Sequence, residues 1–147
     1  MSTSTQLHND LRYVFHSFPL DCLYHLRSNH NRLIRRSYFD HEKNGCLMNL
    51  LSETLPASRR IHSRESLTRY FSDGDENAAS YQPAKWIVRL WDERICSVVK
   101  IRYGNDPSLT VDVIIDVLEK VIAERELAAR PSAKAELMKS ATAPLTV

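Results

Sequence analysis

Two long stretches with helical apolar spacing constrain this chain more than any other feature of its sequence. Within residues 84–101 and again within residues 109–127, large apolar side chains recur every three or four positions. This spacing places them on one face of an α-helix. Pro83 occupies a first-turn position of the first stretch, and Gly104 and Pro107 mark a turn before the second. The pattern predicts two long helices that pack antiparallel at the centre of the domain.

Shorter stretches before residue 73 show the same spacing. Pro19 and Pro56 each follow an apolar stripe that they would end, and Ser63 is a typical N-cap residue. The predicted short helices lie at residues 5–18, 20–28, 47–55 and 63–71. Together with the two long helices, they predict an all-α fold, a single compact helical domain of five to seven helices.

The domain is expected to span residues 1–127, with the rest of the chain as an appendage. Residues 128–147 lose the apolar stripe and are rich in alanine, serine and threonine. This composition predicts a C-terminal tail or a short docking helix around residues 132–140. An alternative α+β fold has a small hairpin near residues 34–50, because the Asn44-Gly45 pair is a hairpin signal. The leucine spacing after Cys46 favours a helix instead.

Composition limits the class of protein. The 147 residues are 43% hydrophobic and 26% charged with only three glycines, which is typical of one folded domain rather than of a disordered polymer. Cys22, Cys46 and Cys96 are widely spaced and odd in number, which argues against a disulfide framework. The N-terminal residues show no leader pattern, and no apolar run is long enough for a membrane span. We expect a cytoplasmic protein without a membrane partner.

Common catalytic motifs are absent from the sequence. It contains no glycine-rich phosphate loop and no G-x-S-x-G elbow, and His41-Glu42 is not followed by the second histidine of a zinc protease motif. Sites built from scattered residues escape such a search. The sequence therefore favours a non-enzymatic protein and indicates no cofactor.

Two arginine-rich segments, 27–43 and 59–64, are the densest candidates for a binding surface. Residues 1–72 contain ten basic and six acidic residues, whereas residues 73–147 contain ten basic and twelve acidic ones. Guanidinium groups suit phosphate oxygens, and interleaved aromatics can stack on bases. The same arginine spacing is also typical of the solvated face of an ordinary helix. The candidate residues for binding a partner or nucleic acid are Arg32, Arg35, Arg36, Tyr38, Arg59, Arg60 and Arg64.

A metal site is a weaker hypothesis for residues 25–46. The possible ligands are His25, His30, His41 and Cys46. His25 and His30 are five residues apart, which turns them about 140° from each other on a regular helix, whereas paired helical ligands usually share a face. The pattern favours ordinary histidines over a metal centre.

The sequence as a whole favours a non-enzymatic regulatory or adaptor protein that acts through protein–protein interaction. Another protein is the expected partner, and a homo-oligomer is compatible with the same features. Nucleic-acid binding through the arginine-rich segments is the alternative, and metal binding through residues 25–46 is the second alternative.

Overall fold

Seven α-helices make up most of the part of the chain that the structure describes. The structure, a computed structural model, describes residues 5–35, 45–92, 97–105 and 107–129. These residues contain no strand or sheet, so the predicted all-α fold is confirmed. The helices are α1 (Thr5–His16), α2 (Leu20–Asn29), α3 (Leu47–Ser52), α4 (Arg64–Ser72), α5 (Gln82–Trp91), α6 (Ser97–Tyr103) and α7 (Val111–Ala129).

Local sequence signals explain where several helices begin and end. The Ser63 hydroxyl accepts a hydrogen bond from the Ser66 backbone N–H at 3.1 Å, and the Ser66 hydroxyl accepts one from the Ser63 backbone N–H at 2.9 Å. This reciprocal capping box starts α4 as predicted. α4 ends at Ser72, and the next residue, Asp73, has a left-handed φ of 54°. Gly104 follows α6 with a φ of 96°, which suits glycine at a helix end.

Helix α1 lies at the centre of the domain, a place that the sequence predicted for the stretch 84–101. The apolar face of α1 is fully buried and packs against both α5 and α7, and α1 also contacts α6. α2 packs against α3 and α7. Instead of forming a directly packed antiparallel pair, α5 and α7 make their main contacts with α1. Both stretches therefore bury their apolar stripes, but mostly against an N-terminal helix.

The predicted helix 84–101 is two helices in the described residues. α5 ends at Trp91, where the Asp92 backbone N–H bonds to carbonyls of the last turn, and α6 begins at Ser97. The Arg35 guanidinium donates a 2.6 Å hydrogen bond to the Trp91 carbonyl. Because a helix leaves its last carbonyls without intrahelical partners, an arginine from another segment stabilises this end. Residues 93–96 lie outside the described residues.

The alternative hairpin near residues 34–50 is wrong for its second arm. Residues Leu47–Ser52 form α3, as the leucine spacing predicted. A single isolated parallel bridge joins Leu33 to Gly45, with backbone hydrogen bonds from Ile34 N–H to the Gly45 carbonyl and from Gly45 N–H to the Arg32 carbonyl. Residues 36–44, which contain most of the first arm and of the turn of this hairpin, lie outside the described residues, as do residues 130–147 of the predicted tail.

Candidate interaction surfaces

Arg32, one of the predicted binding residues, contacts a carboxylate of its own chain. Its guanidinium donates two 2.7 Å hydrogen bonds to the two oxygens of Glu53, just beyond the end of α3. His25 Nε2 lies 2.7 Å from Glu53 Oε1, on the same carboxylate. These hydrogen bonds, chiefly those from Arg32, lower the pKa of Glu53, and Glu53 in turn raises the pKa of Arg32. This cluster links α2 to α3.

Arg35, the second predicted binding residue, joins three distant parts of the chain. Its guanidinium lies 3.9 Å from the centre of the Trp91 ring. It donates hydrogen bonds to the Trp91 carbonyl at 2.6 Å and to the Leu109 carbonyl at 2.7 Å. The Trp91 indole N–H donates to the Ile34 carbonyl at 2.9 Å. A guanidinium stacked on an aromatic ring and bonded to two carbonyls acts as a structural clamp.

The remaining described arginines of the prediction are exposed at the other segment. Arg59 lies in a 3₁₀ turn over Ala57–Arg59 and stands 5.4 Å above the Tyr70 ring. Arg60 bonds the Leu55 carbonyl through Nε at 2.8 Å. Arg64 Nε lies 3.3 Å from Glu76, in a solvent-exposed ion pair. Among the described residues, no carboxylate forms an ion pair with Arg59 or Arg60.

The arginines of the predicted basic surface therefore form two groups that differ in their contacts. Arg32 and Arg35 lie partly buried on internal acceptors, whereas the arginines of 59–64 face solvent. Arg36 and Tyr38 lie outside the described residues. The exposed arginines are the ones that remain available for an external ligand.

The predicted metal ligands do not converge where the structure describes them. His25 contacts Glu53, His30 is exposed and lies 2.9 Å from the Arg27 carbonyl, and Cys46 is buried at the start of α3. Burial raises the pKa of the Cys46 thiol to about 11, which keeps it protonated at neutral pH. No group of three or more His, Cys, Asp or Glu side chains in the described ranges could hold a metal ion. His41 lies outside those ranges.

A buried polar cluster that sequence reasoning missed joins α1 to α6. Asp10 is 2% exposed and lies on the apolar face of α1. Its carboxylate accepts hydrogen bonds from Arg102 at 2.7 and 2.8 Å and from the Tyr103 hydroxyl at 2.5 Å. Burial and the neighbouring Asp10 raise the pKa of Tyr103. The signal was a carboxylate between Leu7 and Leu11, where the stripe would otherwise be apolar.

The outer face of α6 exposes apolar side chains while its inner face is fixed by this cluster. Ile101 is 83% exposed and Val98 43% exposed, and they lie three residues apart on one side of the helix. The inner residues Val99 and Tyr103 are buried. Lys100 is exposed beside them. One turn of a helix that is held in place on its inner side thus presents two apolar side chains to solvent.

Charge separates this region from α7. The described residues of α5 and α6 carry Lys85, Arg89 and Lys100, none of which forms an ion pair with a described carboxylate. Lys85 and Arg89 lie 4.8 and 5.2 Å from the Trp86 ring. α7 instead carries five acidic and two basic residues. The α5–α6 region is cationic, and α7 is acidic.

Comparison with known proteins finds no match for this chain. No protein-family model, curated protein or solved structure matches the chain. None of the helices in the described residues has the length and apolarity that a bilayer crossing requires. Any functional argument therefore depends on the chain's own side chains.

Proposed function

We propose that this protein is a non-enzymatic regulatory or adaptor protein that binds a partner protein through the outer face of α6. The observation that carries the proposal is the exposure of Ile101 and Val98 on a helix whose inner face is held by a buried ion pair. Scattered exposed apolar residues are ordinary on protein surfaces. Two on one turn of a fixed helix form a preorganised contact, which reduces the ordering cost of association.

Burial of the exposed apolar side chains of α6 by a partner contributes a measurable free energy of binding. Complete burial of an isoleucine or valine side chain contributes about 1.5–3 kcal/mol. Each factor of ten in affinity corresponds to about 1.4 kcal/mol. The Ile101 side chain is 83% exposed, so most of this burial free energy is still available from contact with a partner. It is therefore expected to be the main anchor of the interface.

The partner should present an apolar pocket edged by acidic side chains. Lys100 lies beside the apolar pair, and α6 contains no acidic residue. Arg102, the other cation of α6, is already neutralised by Asp10. Lys85 and Arg89 on α5 add positive charge without a described carboxylate partner. Complementary charge accelerates encounter and selects the partner.

The cytoplasm is the proposed location of this adaptor. Cys22 and Cys46 are both free and buried, which supports a protein that needs no disulfide bonds. The nucleic-acid alternative is weaker, because Arg32 and Arg35 already have acceptors within the chain. We do not propose it as a second function.

The test compares variants of α6 with matched variants of α7. Native mass spectrometry of protein purified from its own source identifies any retained chain, and titration calorimetry then measures its affinity. We expect Ile101→Ser to weaken binding at least tenfold, and Lys100→Glu to weaken it most at low salt. Leu127→Ser, at a 63% exposed residue of α7, and Lys120→Glu should bind as the unaltered protein does.

Three results would contradict the proposal. One is a protein that carries no partner, and another is a partner whose affinity does not change with Ile101→Ser. The third is a homodimer built on this face, which would replace the acidic partner by a second copy. Circular dichroism of each variant confirms that the helices are retained.

A further inference from the structure

A surface cleft between the 3₁₀ turn at 57–59 and α4 brings two arginines of different elements together. Its volume is about 250 Å³. It lies apart from α6, on the segment whose arginines remain exposed. The residues that line it are Ser58, Arg59, Ser66, Arg69, Tyr70 and Asp73.

Arg59 is positioned in this cleft by an aromatic ring that is itself fixed. The Tyr70 ring stacks on Phe18 with a centroid distance of 4.7 Å, and its hydroxyl donates to the Ser17 carbonyl at 2.7 Å. Arg59 stands above that ring, and its contact there leaves the guanidinium N–H groups without a carboxylate partner among the described residues. The ring therefore orients a cation and leaves its donors available.

Arg69 supplies a second cation from α4. Its described ion pair is with Glu65, at 3.2 Å, four residues earlier on the same helix. Both side chains are more than half exposed, so this pair contributes little and exchanges readily for a stronger anion. The capping box fixes the start of α4, the helix that carries Arg69. Arg59 and Arg69 thus line one cleft from two separate elements, the 3₁₀ turn and α4.

We propose that this cleft binds a phosphoryl dianion, carried either by a phosphate monoester or by free phosphate. A monoester dianion has three free oxygens, which suits donors arriving from two guanidinium groups and from the Ser58 hydroxyl, which has no hydrogen-bond partner among the described residues. A carboxylate has only two oxygens in one plane and fits such a set less well. The volume admits the phosphoryl group with the first atoms of its alcohol.

The negative charge of Asp73 repels an anionic ligand, and its removal therefore provides a further test. Asp73 is one of the lining residues, so the two arginines and one aspartate give a lining charge of +1. Asp73 has a left-handed backbone, a conformation that asparagine also tolerates well. Asp73→Asn therefore removes the negative charge without a change in backbone preference. It should strengthen phosphate binding, while loss of either arginine should weaken it.

The experiment titrates the full chain with O-phosphoserine, inorganic phosphate, phenyl phosphate and dimethyl phosphate at constant ionic strength, followed by amide chemical shifts. We expect saturable binding of the monoesters, about tenfold weaker in Arg59→Gln and in Arg69→Gln. Asp73→Asn should bind severalfold tighter. Lys120→Gln, which removes an exposed cation of α7, serves as the matched control and should bind unchanged.

The probes also separate the sources of the ligand. Phosphoserine or phenyl phosphate binding tighter than inorganic phosphate would support a phosphorylated partner side chain, and equal affinities would support a free phosphate. Both results retain the proposed chemistry. Dimethyl phosphate binding as tightly as the monoesters would overturn it in favour of a nucleic-acid backbone. Absence of saturation, or equal weakening by Lys120→Gln, would also overturn it, and neither result bears on the α6 face.

Discussion

The arginines near residue 32 and those near residue 59 look alike in sequence and differ in their surroundings. Arg32 and Arg35 end on a carboxylate and on two carbonyls within the domain. Arg59 ends over an aromatic ring at the surface, and Arg64 in an exposed ion pair. The first group holds segments of the chain together, and the second remains open to ligands.

The difference comes from acceptors that are distant in sequence. Glu53 is 21 residues from Arg32, and the carbonyls that Arg35 bonds are 56 and 74 residues away. No local pattern around either arginine indicates these partners. Arginine spacing alone therefore predicts a cationic segment but not whether its charges face inwards. Substitutions at inward and outward arginine sites test this division directly.

The largest loss of stability is expected at the most buried ion pair, between Asp10 and Arg102. Asp10→Ala leaves Arg102 and the Tyr103 hydroxyl without their shared acceptor, and loss of one partner of a buried ion pair costs about 3–5 kcal/mol. Arg102 is partly exposed, so we expect about 3 kcal/mol. Urea unfolding followed by circular dichroism measures the change. Asp116→Ala, at an exposed ion pair, should change the free energy of unfolding by less than about 0.5 kcal/mol. Equal effects of the two variants would contradict the distinction.

Arg35→Ala should come second. It removes two charge-assisted hydrogen bonds and a stacked contact, which together are worth about 2–3 kcal/mol. Arg35→Lys keeps the charge but not the planar fork, so it should recover little of the loss. Thermal unfolding together with tryptophan fluorescence reports both stability and the environment of Trp91. Full recovery with lysine would show that charge, not geometry, makes the contact.

Glu53→Gln should give a smaller effect that depends on pH. Hydrogen bonds from Arg32 and His25 lower the pKa of Glu53 in the folded protein. A lowered folded pKa contributes stability above the ordinary value of 4.5, and this contribution is lost as the pH falls through the lower folded value. With partial exposure, we expect about 1 kcal/mol at neutral pH.

The measurement for Glu53 is urea unfolding of both proteins at several pH values. Their free energies of unfolding should differ most near pH 7 and converge in acid. A difference that stays constant down to pH 2 would mean that the carboxylate charge is not responsible. Glu126→Gln, at an exposed glutamate that Tyr24 bonds, controls for general acid effects.

The smallest effect is expected at the outward arginine. Arg59→Ala removes a surface contact with Tyr70 and should change the free energy of unfolding by about 0.5 kcal/mol or less. Urea unfolding under the conditions used for Arg35→Ala provides the comparison. A loss as large as that of Arg35→Ala would place Arg59 among the structural arginines and remove the division between the two segments.

Much of the secondary structure could be predicted because its signals are local. The stripe from Leu7 to Phe15 predicted α1, Ser63 predicted the start of α4, and Pro83 lies in the first turn of α5. The break after Trp91 could not be predicted, because its visible stabiliser is Arg35, from a segment 56 residues earlier. Local patterns determine helices, whereas their ends can depend on remote side chains.

The candidate site was less predictable than the fold. Arg59 was recognised as a binding candidate, but its partner in the cleft, Arg69, lay outside the predicted segment. Asp10 was not recognised because its structural role depends on its ion-pair partner Arg102, 92 residues away. Val98 belonged to an apolar stripe that predicted burial, yet it is 43% exposed. Which face of a short helix meets the core depends on neighbours that spacing does not specify.

The central position of α1 has a consequence during synthesis of the protein on the ribosome. Among the described helices α1 is synthesised first, yet the partner of Asp10, Arg102, follows 92 residues later, and the partner of Arg12, Glu124, follows 112 residues later. At about 5–20 residues per second, the apolar face of α1 lacks these packing partners for roughly 5–20 s. During that interval α1 is a natural target for chaperones. Its face becomes fully covered only when α7 has been synthesised.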